Sequence, residues 1–189
     1  MPWARLGYTL ATTSRRGAIG IDETGQLAGR VLPSDLDFNR HVNNGRYLSL
    51  ADLGRIDWFV RTGMLRTALK NQWRPIIASG TVRYHRPLKL WQPYRLDSSL
   101  VAWGARWAFM EHRFFANNRD GEEKLFATVA IKGAFQGREG VIEPARLMAA
   151  MGEQHDSPPI PAWIDDWQQG ENRWKAMEEA VPQLSVGAG

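Results

Sequence analysis

Two hydrophobic periods alternate along the chain, and their order outlines a fold. QLAGRVL, Gln26 to Leu32, reads as a short strand from Leu27, closed by Pro33 and Ser34. A polar stretch follows, and then apolar residues recur at helical spacing. Tyr47, Leu50, Ala51, Gly54 and Trp58 share one stripe, with Asn43 or Asn44 as N-cap and Gly63 as the stop. At about 1.5 Å per residue, roughly 18 residues give a rod of about 27 Å, long enough to cross a sheet. After a polar connector containing Arg66, Lys70 and Gln72 the period drops to two. Ile76, Ala78, Gly80, Val82 and Tyr84 alternate with Ile77, Ser79, Thr81, Arg83 and His85 until Pro87 ends the run. Tyr94–Trp103 and Trp107–Asn117 form two more strands around a Gly104-Ala105 turn, the second with Trp107, Phe109, Glu111, Arg113 and Phe115 on one face. Arg119-Asp120-Gly121 marks a hairpin into a last strand ending near Phe135, with Leu125, Ala127, Val129 and Ile131 facing one way.

A strand, one long helix and four antiparallel strands, without internal repeats, predict an α+β layer architecture. One helix covers one sheet face, and the aromatic surplus on the other predicts pairing with a second copy of the chain. Residues 1–23 show no sustained period and form an N-terminal arm. Residues 24–140 form the body, and 141–189 a C-terminal extension with short helices, one around Pro144 to Met151. Trp163, Trp167 and Trp174 lie four and seven residues apart, so their rings fall on one helical stripe by which that tail docks.

Composition narrows the chemistry. A chain of 189 residues, 43% hydrophobic, supports one domain with appendages. The absence of cysteine excludes a disulfide framework, a thiolate zinc site and a cysteine nucleophile. Four scattered histidines, His112 and His155 among them, lack ligand spacing, so no metal site is expected. No apolar run nears the roughly 20 residues of a membrane span, and the opening lacks a secretory core, which predicts a cytoplasmic protein. Residues 1–152 hold 22 basic and 13 acidic groups, and 153–189 hold 2 and 7. The basic body favours an anionic ligand. Its dispersed cations carry no nucleic-acid platform.

One segment carries candidate chemistry. Asp35-Leu36-Asp37-Phe38-Asn39-Arg40-His41-Val42-Asn43-Asn44 sets two carboxylates, amides and an imidazole just ahead of the long helix. Two readings are open on the residues alone. Asp and Asn cap and turn while His41 packs, or the cluster does acid–base work.

The order strand, D-x-D-x-N-x-H-V-N-N-x-x-Y, long helix, four strands resembles the hotdog-fold thioesterases, whose antiparallel sheet wraps around one long central helix. The segment with Tyr47 after it is similar to the active-site stretch of plant acyl-carrier-protein thioesterases. The spacing of Asp35 and Asp37 also matches the 4-hydroxybenzoyl-CoA thioesterase branch, where the second aspartate is catalytic. Thr81-Val82-Arg83-Tyr84 followed by Gln92-Pro93-Tyr94 resembles a thioesterase-like family that includes animal members. The resemblance spans residues 27–136. It implies hydrolysis of an acyl thioester of coenzyme A or of an acyl carrier protein, by a homodimer or a dimer of dimers, without a cofactor beyond the coenzyme A of the substrate. Asp37 becomes the base or nucleophile, with Asn39 and His41 as its neighbours. N–H groups around Asn44 and Gly45 would face the oxyanion. Arg83 and His85, with Arg86, Lys89, Lys132 and Arg138, are the cations for coenzyme A phosphates. The plant enzymes' later Glu-Cys pair falls on Pro87 and Leu88, so a helper carboxylate is missing, which keeps a non-catalytic acyl-CoA-binding protein as the alternative. Asp52 and Asp57 are expected to pair on the helix surface with Arg55, Arg61 or Arg46.

Overall fold

The polar-to-periodic switch at Asn43 is where the central helix begins. In a computed structural model that describes residues 3–153 and 156–180, α2 runs Asn44–Arg61, its first turn closed by Asn43 Oδ1 accepting the Gly45 N–H at 2.9 Å. It ends at Thr62, before Gly63 in the left-handed region, φ 77°. The strands are β1 (Gly25–Arg30), β2 (Arg74–Tyr84), β3 (Pro93–Trp103), β4 (Ala108–Asn117), β5 (Glu123–Gly137) and β6 (Gly140–Ile142). All pairings are antiparallel, in the order β1-β3-β4-β5-β2, with β6 on β5. The sheet curls as a half-barrel, with α2 packed against β1, β3, β4 and β5. The predicted stripe is the one that packs: Tyr47, Leu50, Ala51, Gly54 and Trp58 are all buried. Gly54 is where helix and sheet come closest, since a Cβ there would lie 2.4 Å from Ser98 Oγ and 2.8 Å from Leu96 Cδ2. Phe114, fully buried, packs its ring 5.3 Å from Tyr47 and 5.6 Å from Tyr94.

Several expectations change. The N-terminal arm holds a helix, α1 (Trp3–Thr13), that packs on α2. The polar connector is a helix too, α3 (Met64–Lys70), which buries Met64 and Ala68. Its seven residues are too few to register as a period. On β5 the register jumps between the Phe114↔Ala127 and Phe115↔Leu125 pairs. That bulge buries Phe126 alongside Ala127 and leaves Leu125 only half-buried, against the predicted alternation. The face of β4 bearing Phe109 turns away from α2, and the chain itself partly covers it. After the short α4 (Pro144–Met151), α5 (Ala162–Ala180) is long rather than short. It sets Trp167 6.2 Å from the Phe109 ring and Glu171 2.7 Å from Lys132 Nζ. The tryptophan stripe docks only in part: Trp163 stacks on Trp167, but Trp174 is 67% exposed. Ile164, fully buried, is the anchor. Among the described residues no helix is long and apolar enough to cross a membrane. His155 lies outside the described residues.

Asp52 pairs with Arg55 at 2.7 Å, as expected. Asp57 does not sit on a surface. It is buried, accepting from Thr13 Oγ1 at 2.8 Å and pairing with Arg16 at 2.9 Å and Arg61 at 3.6 Å, which fastens α1 to α2. Arg46 pairs elsewhere, with Asp35.

His112, which had no partner in sequence, is buried on β4 with Nδ1 2.9 Å from Ser98 Oγ. Desolvation, aided by the Arg55 charge, pushes its pKa down to about 3. An unfolded chain takes up this proton below about 6.5 and the folded one refuses it until about 3. Stability is therefore expected to fall as pH drops through that window, by up to about 1.4 kcal/mol per unit. Urea melts between pH 7.5 and 5 would show the slope, and His112→Gln should flatten it. An unchanged slope in that variant would assign the pH dependence to other groups.

Candidate active site

The segment before α2 folds on itself through its own polar atoms. The Asp37 N–H donates to the His41 carbonyl at 2.9 Å, Arg40 N–H returns to the Asp37 carbonyl at 3.1 Å, and Asn39 N–H donates to Asp37 Oδ1 at 2.9 Å. Arg40 takes the left-handed conformation the turn needs, φ 58°. Val42 N–H donates to Leu88 O, and His41 bridges Lys89, so the loop is stitched to the segment after β2. Phe38, at the tip, is fully exposed.

Asp35 and Asp37 have opposite fates. Asp35 is fully buried and held by Arg5 at 2.7 Å, Arg46 at 3.0 Å and the Leu32 N–H at 2.8 Å. Every oxygen is engaged, and the carboxylate serves as a tie between α1, the loop and α2. Asp37 is half-buried. Its Oδ1 closes the turn, and its Oδ2 has no hydrogen-bond partner among the described residues.

Asp37 lines a pocket of about 300 Å3 together with Asn39, His41, Asn44 and His85, and with Tyr47, Tyr84, Arg86 and Pro87. Five of the seven candidate residues thus share one wall system. Gly45 and Arg83 do not line it. The Gly45 N–H is spent on the Asn43 cap, leaving the Asn44 N–H as the candidate oxyanion donor at the helix start. Arg83 is exposed on β2. No hydrogen bond among the described residues joins the His41 ring to the Asp37 carboxylate. Tyr84 was not among the candidate site residues. It is an edge-strand tyrosine whose hydroxyl donates to Asn44 O at 2.9 Å and whose ring meets Tyr47 edge-on at 5.3 Å, pinning the strand end over the helix N-terminus. Desolvation raises the pKa of both tyrosines, which keeps them as neutral hydroxyls. The Tyr47 hydroxyl accepts the Leu88 N–H at 3.4 Å. Only the Tyr47 position in the motif signalled this pair.

A second, open cleft of about 440 Å3 adjoins the first and shares Arg86 and Pro87 with it. Lys89 and Arg119 add two more cations, and Arg119 belongs to the hairpin that sequence alone marked only as a turn. Lys132 is committed to Glu171. Among the described residues no cluster of His, Cys, Asp and Glu could hold a metal ion.

The chain is similar to known proteins in both sequence and structure. Protein THEM6 of Xenopus laevis is 31% identical over 143 residues, which cover 74% of this chain and 65% of that protein. The chain spans about two thirds or less of the length of the curated relatives it matches. The probable thioesterase YbaW of Escherichia coli superposes with a TM-score of 0.60 at 18% identity, over 67% of this chain and 95% of that one. The 4-hydroxybenzoyl-CoA thioesterase of Pseudomonas sp. strain CBS-3 does so at 0.58 and 14% identity, over 67% and 98%. These neighbours carry the hotdog fold, as does this chain. The model of one family matches residues 31–168, well over half of the sequence, and it includes both the Asp37 loop and the start of α5. The chain belongs to the thioesterase-like superfamily.

Proposed function

We propose that the protein hydrolyses an acyl-CoA thioester to a free acid and a thiol, with Asp37 as base or nucleophile. The observation that carries this reading is the Asp37 Oδ2, without a hydrogen-bond partner among the described residues, on the wall of a pocket at the helix N-terminus. Water supplies the oxygen and hydrogen that end on the acid and the thiol, whether the carboxylate attacks the carbonyl first or deprotonates the water. Asn39 and His41 stand beside it to orient the thioester, and the Asn44 N–H sits at the positive end of α2, where an oxyanion develops. The adjoining cleft favours coenzyme A over a carrier protein, because Arg86, Lys89 and Arg119 offer separated cations to its phosphates.

A homodimer fits the same frame. β2 ends the sheet with its outer edge unpaired among the described residues, and Ile77 and Tyr84 on it are 50% and 45% exposed. Sedimentation of the intact chain is expected to give a dimer, and a stable monomer at micromolar concentration would remove this part of the reading.

Thiol release from acyl-CoA of graded chain length tests the activity. Turnover at some chain length is the expected result. A second reading has its own support, since Pro87 lines the pocket and Leu88 is fully buried where plant-type relatives place a helper carboxylate. Tight acyl-CoA binding without thiol release at any chain length would establish that reading, a non-catalytic acyl-CoA-binding protein.

A further inference from the structure

A further cavity in the core has no wall in common with the pocket of Asp37. It has a volume of about 240 Å3 between the C-terminal half of α2, α4 and the sheet. Its walls are apolar, with Trp58, Met110, Phe135 and Met148 among them. The exposed Pro75 and Ile77 of β2 also line it, so it opens at the sheet edge.

Among the described residues that line it, Arg55 is the only charged one. Half of its guanidinium is satisfied: Nη2 donates to Asp52, whose side chain is 31% exposed and lies toward solvent. Nη1 is buried and has no hydrogen-bond partner among the described residues. A planar cation with five donors, desolvated and paired at one end only, is a site with an acceptor missing. His112 repeats the pattern. It stands two residues from cavity-lining Met110 on the same inward face of β4, within reach of the Arg55 charge, and its Nε2 is also buried without a partner. In the tautomer that accepts the Ser98 hydroxyl on Nδ1, the neutral ring carries its proton on Nε2 and offers a second donor.

We propose that this cavity binds an aliphatic chain ending in a carboxylate, with the carboxylate on Arg55 Nη1 and the chain along the apolar walls. A free fatty acid and the far end of a dicarboxylic thioester present the same chemistry. The free-acid arm is independent of the Asp37 reading, and the thioester arm rests on it.

Calorimetry on the intact chain would compare octanoate with 1-octanol, in the parent and in Asp37→Asn. Octanoate is expected to bind at least about tenfold tighter in both, the scale of a charge-assisted hydrogen bond. Arg55→Met should erase that preference. If octanoate shows no preference but suberoyl-CoA exceeds octanoyl-CoA about tenfold in kcat/KM, and Arg55→Met abolishes the difference, the ligand is the dicarboxylic thioester. Equal handling of charged and neutral probes in both arms, or a preference that survives Arg55→Met, overturns the proposal. Should Arg55→Met fail to fold, Arg55→Lys keeps the charge and loses the fork. It is then expected to weaken the preference several-fold, and an undiminished preference would count against the site.

Discussion

Asp37→Asn is expected to lower kcat for acyl-CoA hydrolysis by about 10²–10⁴, the usual contribution of a positioned acid–base group, while the melting temperature stays where it was. The two halves of this expectation have separate physical grounds. An amide neither attacks a thioester carbonyl nor takes a proton from water, so the chemical step loses its driver. The same amide presents an oxygen where Asp37 Oδ1 accepts the Asn39 N–H at 2.9 Å, so the turn survives. Because the hydrogen bonds of Asp37 all lie within residues 37–41, nothing else in the core depends on its charge. KM should move less than kcat, since the cations proposed for the phosphates lie in the neighbouring cleft. His41→Ala is the companion variant, with a smaller loss expected because His41 makes no hydrogen bond to the carboxylate. Full turnover in Asp37→Asn would place the chemistry on another group and sink the proposed role.

The sequence exposed the features that repeat and hid those that depend on distance. A 3.6-residue period marked α2 down to its buried stripe, the Asn43-Asn44 pair held its N-cap, which is Asn43, and Gly63 marked its end, because capping and helix termination are local events. The alternating strands were equally visible except where bulges broke the phase, at Ala78 on β2, Val101 on β3 and Phe126 on β5. Nothing local distinguishes Asp35 from Asp37. Both are acids two residues apart in a polar run, and their difference arises from Arg5, thirty residues away on a helix whose buried positions among the described residues, Thr9 and Thr13, are polar. The partner of the Gly45 N–H was hidden for a related reason. That N–H lies at the helix start, as an oxyanion donor should, but whether the cap takes it depends on which of Asn43 and Asn44 turns inward. The cavity of Arg55 was not visible at all. Arg55 is a helix residue three from an aspartate, which reads as an exposed pair, and only the curl of the sheet turns its other face inward.

Asp35→Ala is expected to cost about 3–5 kcal/mol of folding stability, because it breaks a buried ion pair from one side. Arg5 and Arg46 would then face each other without the carboxylate between them, their side chains 16% and 24% exposed. Partial access to water places the cost toward the lower end of that range. For a domain with about 5–15 kcal/mol in total this is a large share, and it lowers the melting temperature by on the order of 10 °C. The effect should spread along the chain. Asp35 joins α1 through Arg5, α2 through Arg46, and its own carbonyl accepts the Asn43 N–H at 2.8 Å, so hydrogen exchange is expected to rise in α1 and in the Asp37 loop together. Activity would fall with the folded fraction, unlike the pattern for Asp37→Asn. A double-mutant cycle with Arg5→Met isolates the tie, since Arg46 still neutralises Asp35 when Arg5 alone is removed. Coupling near zero in that cycle would mean that α1 is held by its apolar contacts and by the Asp57 cluster, with Asp35 serving the loop alone.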